Sequence, residues 1–176
     1  GLNTNLAVPT RAEVEGMGAG GAPGCPPNKY CVENAGSYKP NMTLKEALAT
    51  SPNTPFIEMA EKLGMERITD IAIKLGLRSY KNEGSFDGEN SVEEYVKDNN
   101  LGSFVLGPTA VDPLELSNVA ASLADHGRWC EPTPVLSVKD RNGEDVEMEK
   151  VDCEQAIDKK IADALANGLG LSLIHI

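Results

Sequence analysis

Residues 43–64, Thr-Leu-Lys-Glu-Ala-Leu-Ala-Thr-Ser-Pro-Asn-Thr-Pro-Phe-Ile-Glu-Met-Ala-Glu-Lys-Leu-Gly, read as two helices meeting at a tight corner. Thr43 followed by Glu46 is a capping box, in which each side chain satisfies a backbone N–H of the other. Leu44, Ala47 and Leu48 share one side of the helix it opens. Pro52 ends that helix, because its ring pushes the preceding residue out of the right-handed helical region. Pro55 suits the first turn of the next helix, where a missing N–H is harmless. Phe56, Met59, Ala60 and Leu63 recur at helical spacing and predict its inward face, and Gly64 is a natural C-terminal cap. Ser51 and Asn53 stand at the corner, a hydroxyl and a carboxamide two residues apart.

Downstream, the spacing predicts a helix over 66–75, with Ile68, Ile71, Ala72 and Leu75 inward and Gly76 closing it. Residues 79–90 are polar, carry Gly84 and Gly88, and read as a loop. Ser91 and Glu94 form a second capping box for a short helix through Val96. Residues 103–108 are too short and apolar to assign by period. Asp112, Pro113 and Glu115 start a further helix, with Leu116, Val119, Ala120, Leu123 and Ala124 at helical spacing and Gly127 at its end. Residues 135–139 and 145–149 read as paired strands around Arg141-Asn142-Gly143, since Asn-Gly supplies the positive φ angles of a tight hairpin. Leu136 and Val138 would then share a face with Val146 and Met148. A last helix is expected over 154–166, with Ile157, Ile161, Ala164 and Leu165 inward.

Upstream, residues 16–40 are rich in Gly and Pro, which argues against a regular helix or a central strand. Order is therefore expected to begin at Thr43. The expected organisation is one α+β unit over 1–170: a loop region 1–42, a helical part 43–127, a hairpin 128–153 and a helix 154–167. The apolar tail 171–176 fits no pattern linking it to that helix and resembles translated read-through.

The chain has 176 residues, 40% hydrophobic and only 5% aromatic, so its core is largely aliphatic. A net charge of −11 argues against nucleic acid as a partner, and the nearest basic grouping, Lys74, Arg78 and Lys81, is flanked by acids. No apolar run is long enough to span a bilayer. The four cysteines, Cys25, Cys31, Cys130 and Cys153, fit two disulfides in an oxidising compartment, ahead of free thiols. A zinc site ranks last, since neither pair has the CxxC spacing of a zinc knuckle. His126 at a helix end reads as a cap or surface group, and Trp129 as packing against the hairpin. Glu144, Asp145, Glu147 and Glu149 read as a solvated strand face, without the regular spacing of a calcium loop. No residue set calls for a metal or other cofactor.

An isolated Ser-x-Asn is most often a helix cap. Its context here is more specific. A capped helix, then Ser51-Pro-Asn53-Thr-Pro-Phe56, then a helix ending in Leu63-Gly64, resembles the second-motif region of penicillin-binding protein transpeptidases. A second block, Ser103-Phe-Val-Leu-Gly107, Val111-Asp-Pro-Leu-Glu-Leu116, Ala120-Ala-Ser-Leu-Ala-Asp-His-Gly127 and Cys130-Glu-Pro132, is similar to the same family's later helix and the approach to its hairpin. The Cys130 and Cys153 pair resembles class A, bifunctional members from actinobacteria. The likeness spans roughly residues 40–169.

The resemblance implies a partial transpeptidase fold and a parent enzyme that cross-links peptidoglycan by acyl transfer. Its partners would be stem peptides ending in D-Ala-D-Ala, with β-lactams trapped at the same serine. The parent would lie on the extracytoplasmic face of the plasma membrane, held by an upstream anchor, with an upstream glycosyltransferase domain. Ser51 becomes the second-motif hydroxyl, relaying a proton to the leaving amine. Asn53 becomes the amide that binds substrate backbone and the first-motif lysine. The sequence contains no Ser-x-x-Lys and no Lys-Thr-Gly, the family's first and third motifs, as expected for an internal fragment that is itself inactive. Pro52 departs from the small or apolar middle residue usual in the family. The alternatives are a non-catalytic, disulfide-stapled extracellular binding module, or a β-lactamase or receptor relative on the same fold.

Overall fold

A computed structural model describes residues 1–148 and 152–171. It is α+β, as expected, but order begins well before Thr43. Strands β1 (Asn5–Ala7), β2 (Arg11–Glu15), β3 (Gly20–Gly21), β4 (Lys29–Glu33) and β5 (Asn41–Thr43) occupy the stretch expected to be loop. β1 pairs antiparallel with β5, and β4 lies centrally between antiparallel β2 and parallel β3. The Gly/Pro content marks much of the connections, but Gly20–Gly21 is itself β3. That content also hides a five-residue run in which Cys31 and Val32 are buried against the body. Cys25–Cys31 and Cys130–Cys153 are both disulfide-bonded, which leaves no free cysteine for a zinc site.

The helices follow as α1 (Leu44–Thr50), α2 (Thr54–Leu63), α3 (Met65–Leu75), α4 (Val92–Asp98) and α5 (Pro113–Ala124), with 3₁₀ turns at Arg78–Lys81 and Gly102–Leu106. Both capping boxes form, at Thr43/Glu46 and Ser91/Glu94. Asp112 caps α5 by accepting from the N–H groups of Leu114 and Glu115.

Helix faces follow the sequence reading in part: Ala60, Leu75 and Leu123 are buried and Ile68, Ala72 and Val119 pack on the core as expected, while other positions depart. In α2 the buried residues are Thr54, Pro55, Ile57 and Ala60, whereas Leu63 is exposed and Phe56 packs on a separate cluster of Val8, Met42 and Ala47. In α3 Met65, Thr69, Ile73 and Leu75 are buried and Ile71 is exposed. In α5 Asn118, Ser122 and Leu123 face inward, while Leu116 is exposed. The physical reason is common to all three. Each helix has apolar residues on more than one side, so periodicity leaves the rotation open. Small and hydroxylated residues settle it: Ala60 allows close approach, and Thr69 and Ser122 do so while bonding their own helix or a neighbour. Ser122 Oγ donates to Leu75 O at 2.8 Å and Thr69 Oγ1 to Met65 O at 2.8 Å.

The main core joins β2, β4, α2, α3 and α4 through Ala12, Val14, Met17, Val32, Ile57, Ala60, Met65, Ile73 and Val96. Gly102 sits against it so closely that a Cβ would lie 3.0 Å from both Ile57 Cδ1 and Met17 Cβ.

Beyond α5, β6 (Arg128–Trp129) pairs with a later strand, and β7 (Val138–Lys139) pairs with β8 (Asp145–Val146). The hairpin is thus real but shorter than expected, and Glu149 lies outside the described residues. Only Gly143 takes a positive φ, +84°, so the turn is not the two-residue type that Asn-Gly suggested. Asp140 closes it instead, its carboxylate accepting from the N–H groups of Asn142 and Glu144. Residues 154–155 are not helical. They form β9 (Glu154–Gln155), the partner of β6, and the last helix α6 is Lys159–Leu169, capped by Asp158. Its buried residues are Ala162 and Gly168, not Ile161, which is exposed. Residues 172–176 and His175 within them lie outside the described residues.

Two polar clusters hold the base of this region. Arg78 lies over the Trp129 ring at 4.0 Å and pairs with Glu154 of β9. His126 meets Asp163 at 2.6 Å on the surface of α6, with Lys159 at 2.6 Å. Among the described residues no helix is long and apolar enough to cross a membrane.

Candidate active site

The corner between α1 and α2 is short because two prolines bracket it. The N–H of Ser51 donates to Ala47 O at 2.8 Å and closes α1, and Ser51 then takes a left-handed backbone, φ +56° and ψ +49°. That region is uncommon for a residue with a Cβ, and such strain of about 1–3 kcal/mol gathers at functional sites. Pro52 is buried and anchors the turn. Ser51 is left exposed, and its hydroxyl has no hydrogen-bond partner among the described residues.

Asn53 follows as the N-cap of α2, half-buried, yet its side chain makes no cap bond. Nδ2 donates to the backbone oxygen of Glu33 at 3.0 Å. That bond fixes which end of the amide is nitrogen, and leaves Oδ1 without a partner among the described residues. The orphan N–H groups of the helix start are served from β4's end. Asn34 Oδ1 accepts from the N–H of Asn53 at 2.7 Å and of Thr54 at 3.0 Å. Asn34 Nδ2 in turn donates to Pro9 O at 3.0 Å and to Thr54 Oγ1 at 3.1 Å. Thr54, fully buried, passes its own hydroxyl hydrogen to Pro9 O at 2.8 Å.

The corner therefore offers a free hydroxyl and a free carboxamide oxygen on a backbone tied to two strands. A hydroxyl can pass a proton between two groups, and an amide oxygen can accept from an ammonium or an amide N–H. The sequence reading had placed a donating and accepting amide here. The structure commits one of its two donor hydrogens to Glu33. Sequence reasoning missed Asn34, Pro9 and Thr54, because their contacts cross 19 to 45 residues of chain. The only local sign was Asn34 itself, a polar residue just past an apolar run.

The titratable group of α1 with a shifted value lies at the other end of the helix, in its N-terminal cap. Hydrogen bonds from the backbone N–H and hydroxyl of Thr43 hold the Glu46 carboxyl below the usual glutamate range. A separate open groove of about 1690 Å³ runs along the hairpin, lined by Pro132, Leu136, Val138, Val146 and Met148 among others. Its lining includes neither Ser51 nor Asn53.

The penicillin binding protein transpeptidase domain family matches residues 24–172. Penicillin-binding protein 1A of Aquifex aeolicus is 29% identical over 119 residues, 68% of this chain but 14% of that protein. Among solved structures, the ceftriaxone acyl-enzyme complex of penicillin-binding protein A from M. tuberculosis superposes with a TM-score of 0.73 at 21% identity, covering 99% of this chain and 38% of that one. A peptidoglycan synthetase from Bifidobacterium adolescentis gives 0.72 at 18% identity, covering 99% and 31%. These structural likenesses establish the fold. The chain spans well under half the length of the relatives it matches.

Proposed function

Because this chain belongs to the penicillin-binding protein transpeptidase domain family, we propose that it is part of a serine-type D,D-transpeptidase and that Ser51 and Asn53 are its second active-site motif. The observation that carries this reading is the pair of uncommitted groups at the corner, Ser51 Oγ and Asn53 Oδ1, on a left-handed turn between two capped helices.

In the proposed reaction a nucleophilic serine, supplied by the parent outside these residues, attacks the carbonyl of the penultimate D-Ala of a stem peptide. The bond to the terminal D-Ala breaks, and that residue leaves as a free amine. Its nitrogen needs a proton, which the Ser51 hydroxyl would relay. A serine alone is a weak nucleophile and needs a base, for which a lysine of the parent is the proposed group. Asn53 Oδ1 would accept from that ammonium and hold it in line. An amine from a neighbouring peptide then takes the acyl group, restoring the serine. β-Lactams would acylate the same serine, as the acyl-enzyme complex of the M. tuberculosis relative does in its own case. The parent would work at the extracytoplasmic face of the membrane. An upstream glycosyltransferase domain belongs to this proposal, and the disulfides suit an oxidising compartment.

Labelling with a fluorescent penicillin tests the reading. The parent enzyme is expected to label covalently, its Ser51→Ala variant to label far more slowly, and the isolated 176-residue chain not at all. Covalent labelling of the isolated chain would sink the claim that the nucleophile lies elsewhere.

A further inference from the structure

We propose that Asn34 is a positioning residue of this active site: it receives the first N–H groups of α2 and so fixes the backbone that carries the Asn53 carboxamide. The inference rests on the assignment of Ser51 and Asn53 made above.

Asparagine is a preferred N-cap because its side-chain oxygen accepts from an orphan N–H of the first turn. Asn53 occupies that position and does not cap. The reason is that little is left to cap. Pro55 has no N–H, and the N–H of Phe56 already donates to Asn53 O at 3.2 Å. The N–H groups of Asn53 and Thr54 both end on Asn34 Oδ1. Without Asn34 those two donors would be orphaned at a half-buried corner, and the backbone that carries the Asn53 carboxamide would lose its anchor.

The amide at position 34 is fully used. Two lone pairs take the two N–H groups, and two hydrogens go to Pro9 O and Thr54 Oγ1. Thr54 Oγ1 can accept because its own hydrogen is committed to Pro9 O. Three chain segments thus meet on one side chain: the entry to β2, the exit from β4 and the start of α2. Glu33, the neighbour of Asn34, holds Asn53 Nδ2 by its backbone oxygen. The same β4 exit therefore fixes both the backbone of Asn53 and the direction of its side chain. Asn34 touches no reacting atom and acts only through Asn53.

The test measures acylation of the parent enzyme by a fluorescent penicillin, separating the rate constant from the pre-acylation dissociation constant. Asn34→Ala is expected to lower the rate constant by about tenfold or more, as misplacement of a catalytic group does, with a much smaller change in the dissociation constant. Asn34→Asp keeps the oxygen that receives the two N–H groups and loses the donors to Pro9 and Thr54. It is expected to retain most of the rate. Leu123→Ala, a change in a core cluster separate from those under the corner, controls for stability and is expected to acylate normally.

The proposal is overturned if Asn34→Ala loses no more rate than Leu123→Ala, or if Asn34→Asp falls as far as Asn53→Ala. The second comparison decides the matter should Asn34→Ala fail to fold. Ser51→Ala and Asn53→Ala in the same assay separate the two ideas. If both acylate normally, the active-site assignment has failed and this inference with it. If both are slow while Asn34→Ala is fast, only the positioning role is lost.

Discussion

The corner at Ser51 and the arm of residues 131–148 are both polar turns between regular elements, and they are built in opposite ways. The corner is held from a distance. Its backbone N–H groups bond Asn34 just past β4, the Thr54 hydroxyl bonds Pro9 before β2, and Pro52, Thr54 and Ile57 are buried. The arm is held only by its own sequence neighbours. Every residue from 131 to 148 is exposed, including Leu136 at 93%, and its turn closes on the Asp140 side chain within four residues. Its tie to the body lies at its base, where Cys130 joins Cys153 and β6 pairs with β9. The difference teaches where rigidity comes from. A turn becomes a precise platform when remote groups fix it, and not because its local conformation is favourable.

The largest effect should separate the two regions outright. Ile57→Ala, in the core beneath the corner, is expected to lower unfolding free energy by about 2–5 kcal/mol through lost burial and a residual cavity. Leu136→Ala on the arm should change it by no more than about 0.5 kcal/mol. Denaturant unfolding of both variants checks this, and equal losses would erase the contrast.

A smaller loss is expected from opening the base of the arm. Cys130→Ser combined with Cys153→Ser removes a cross-link over a separation of 23 residues, and loop-closure entropy puts its contribution at about 3 kcal/mol. Limited proteolysis should then cut within residues 131–148 before any site near Ser51. First cuts at the corner would show that it, not the arm, is the weaker region.

The smallest effect is one of pH. Glu46, in the N-terminal cap of the helix that ends at the corner, is lowered by its bonds to Thr43, and Asp140 in the arm by the N–H of Glu144 first and then Asn142. A carboxyl lowered on folding stabilises the fold above its unfolded value and loses that contribution as pH falls through its folded value. The glutamate contribution should therefore be complete above the ordinary value of 4.5 and fade below it. Thr43→Ala should flatten that acid limb in thermal melts, while Asp140→Asn should leave the melting of the body unmoved and loosen only the arm. An unchanged acid limb in Thr43→Ala would remove the capping box from the account.

Much of the fold was legible because it is written in short-range chemistry. Thr43 with Glu46, Ser91 with Glu94, and Asp112 before Pro113 mark helix starts with residues three apart or fewer, and all three caps form. The S-x-N corner was legible for the same reason, since two prolines and a capping box confine it. The first 42 residues were misread because glycine and proline counts describe connections and are silent on two- to five-residue strands that depend on partners. Residues 154–155 were read as helix because Ile157, Ile161 and Leu165 are spaced for one. Pairing with Arg128 and Trp129 took 154–155 into a sheet instead.

By itself, then, the sequence determined where most helices start and stop, which turn carries a hydroxyl and a carboxamide, and which family the chain resembles, because steric and capping preferences act within a few residues. Tertiary structure alone decided which helix faces are buried, which cysteines pair, and that Asn34 rather than Asn53 receives the orphan N–H groups of α2. Those outcomes depend on groups that are distant in the chain and become neighbours only when the core closes.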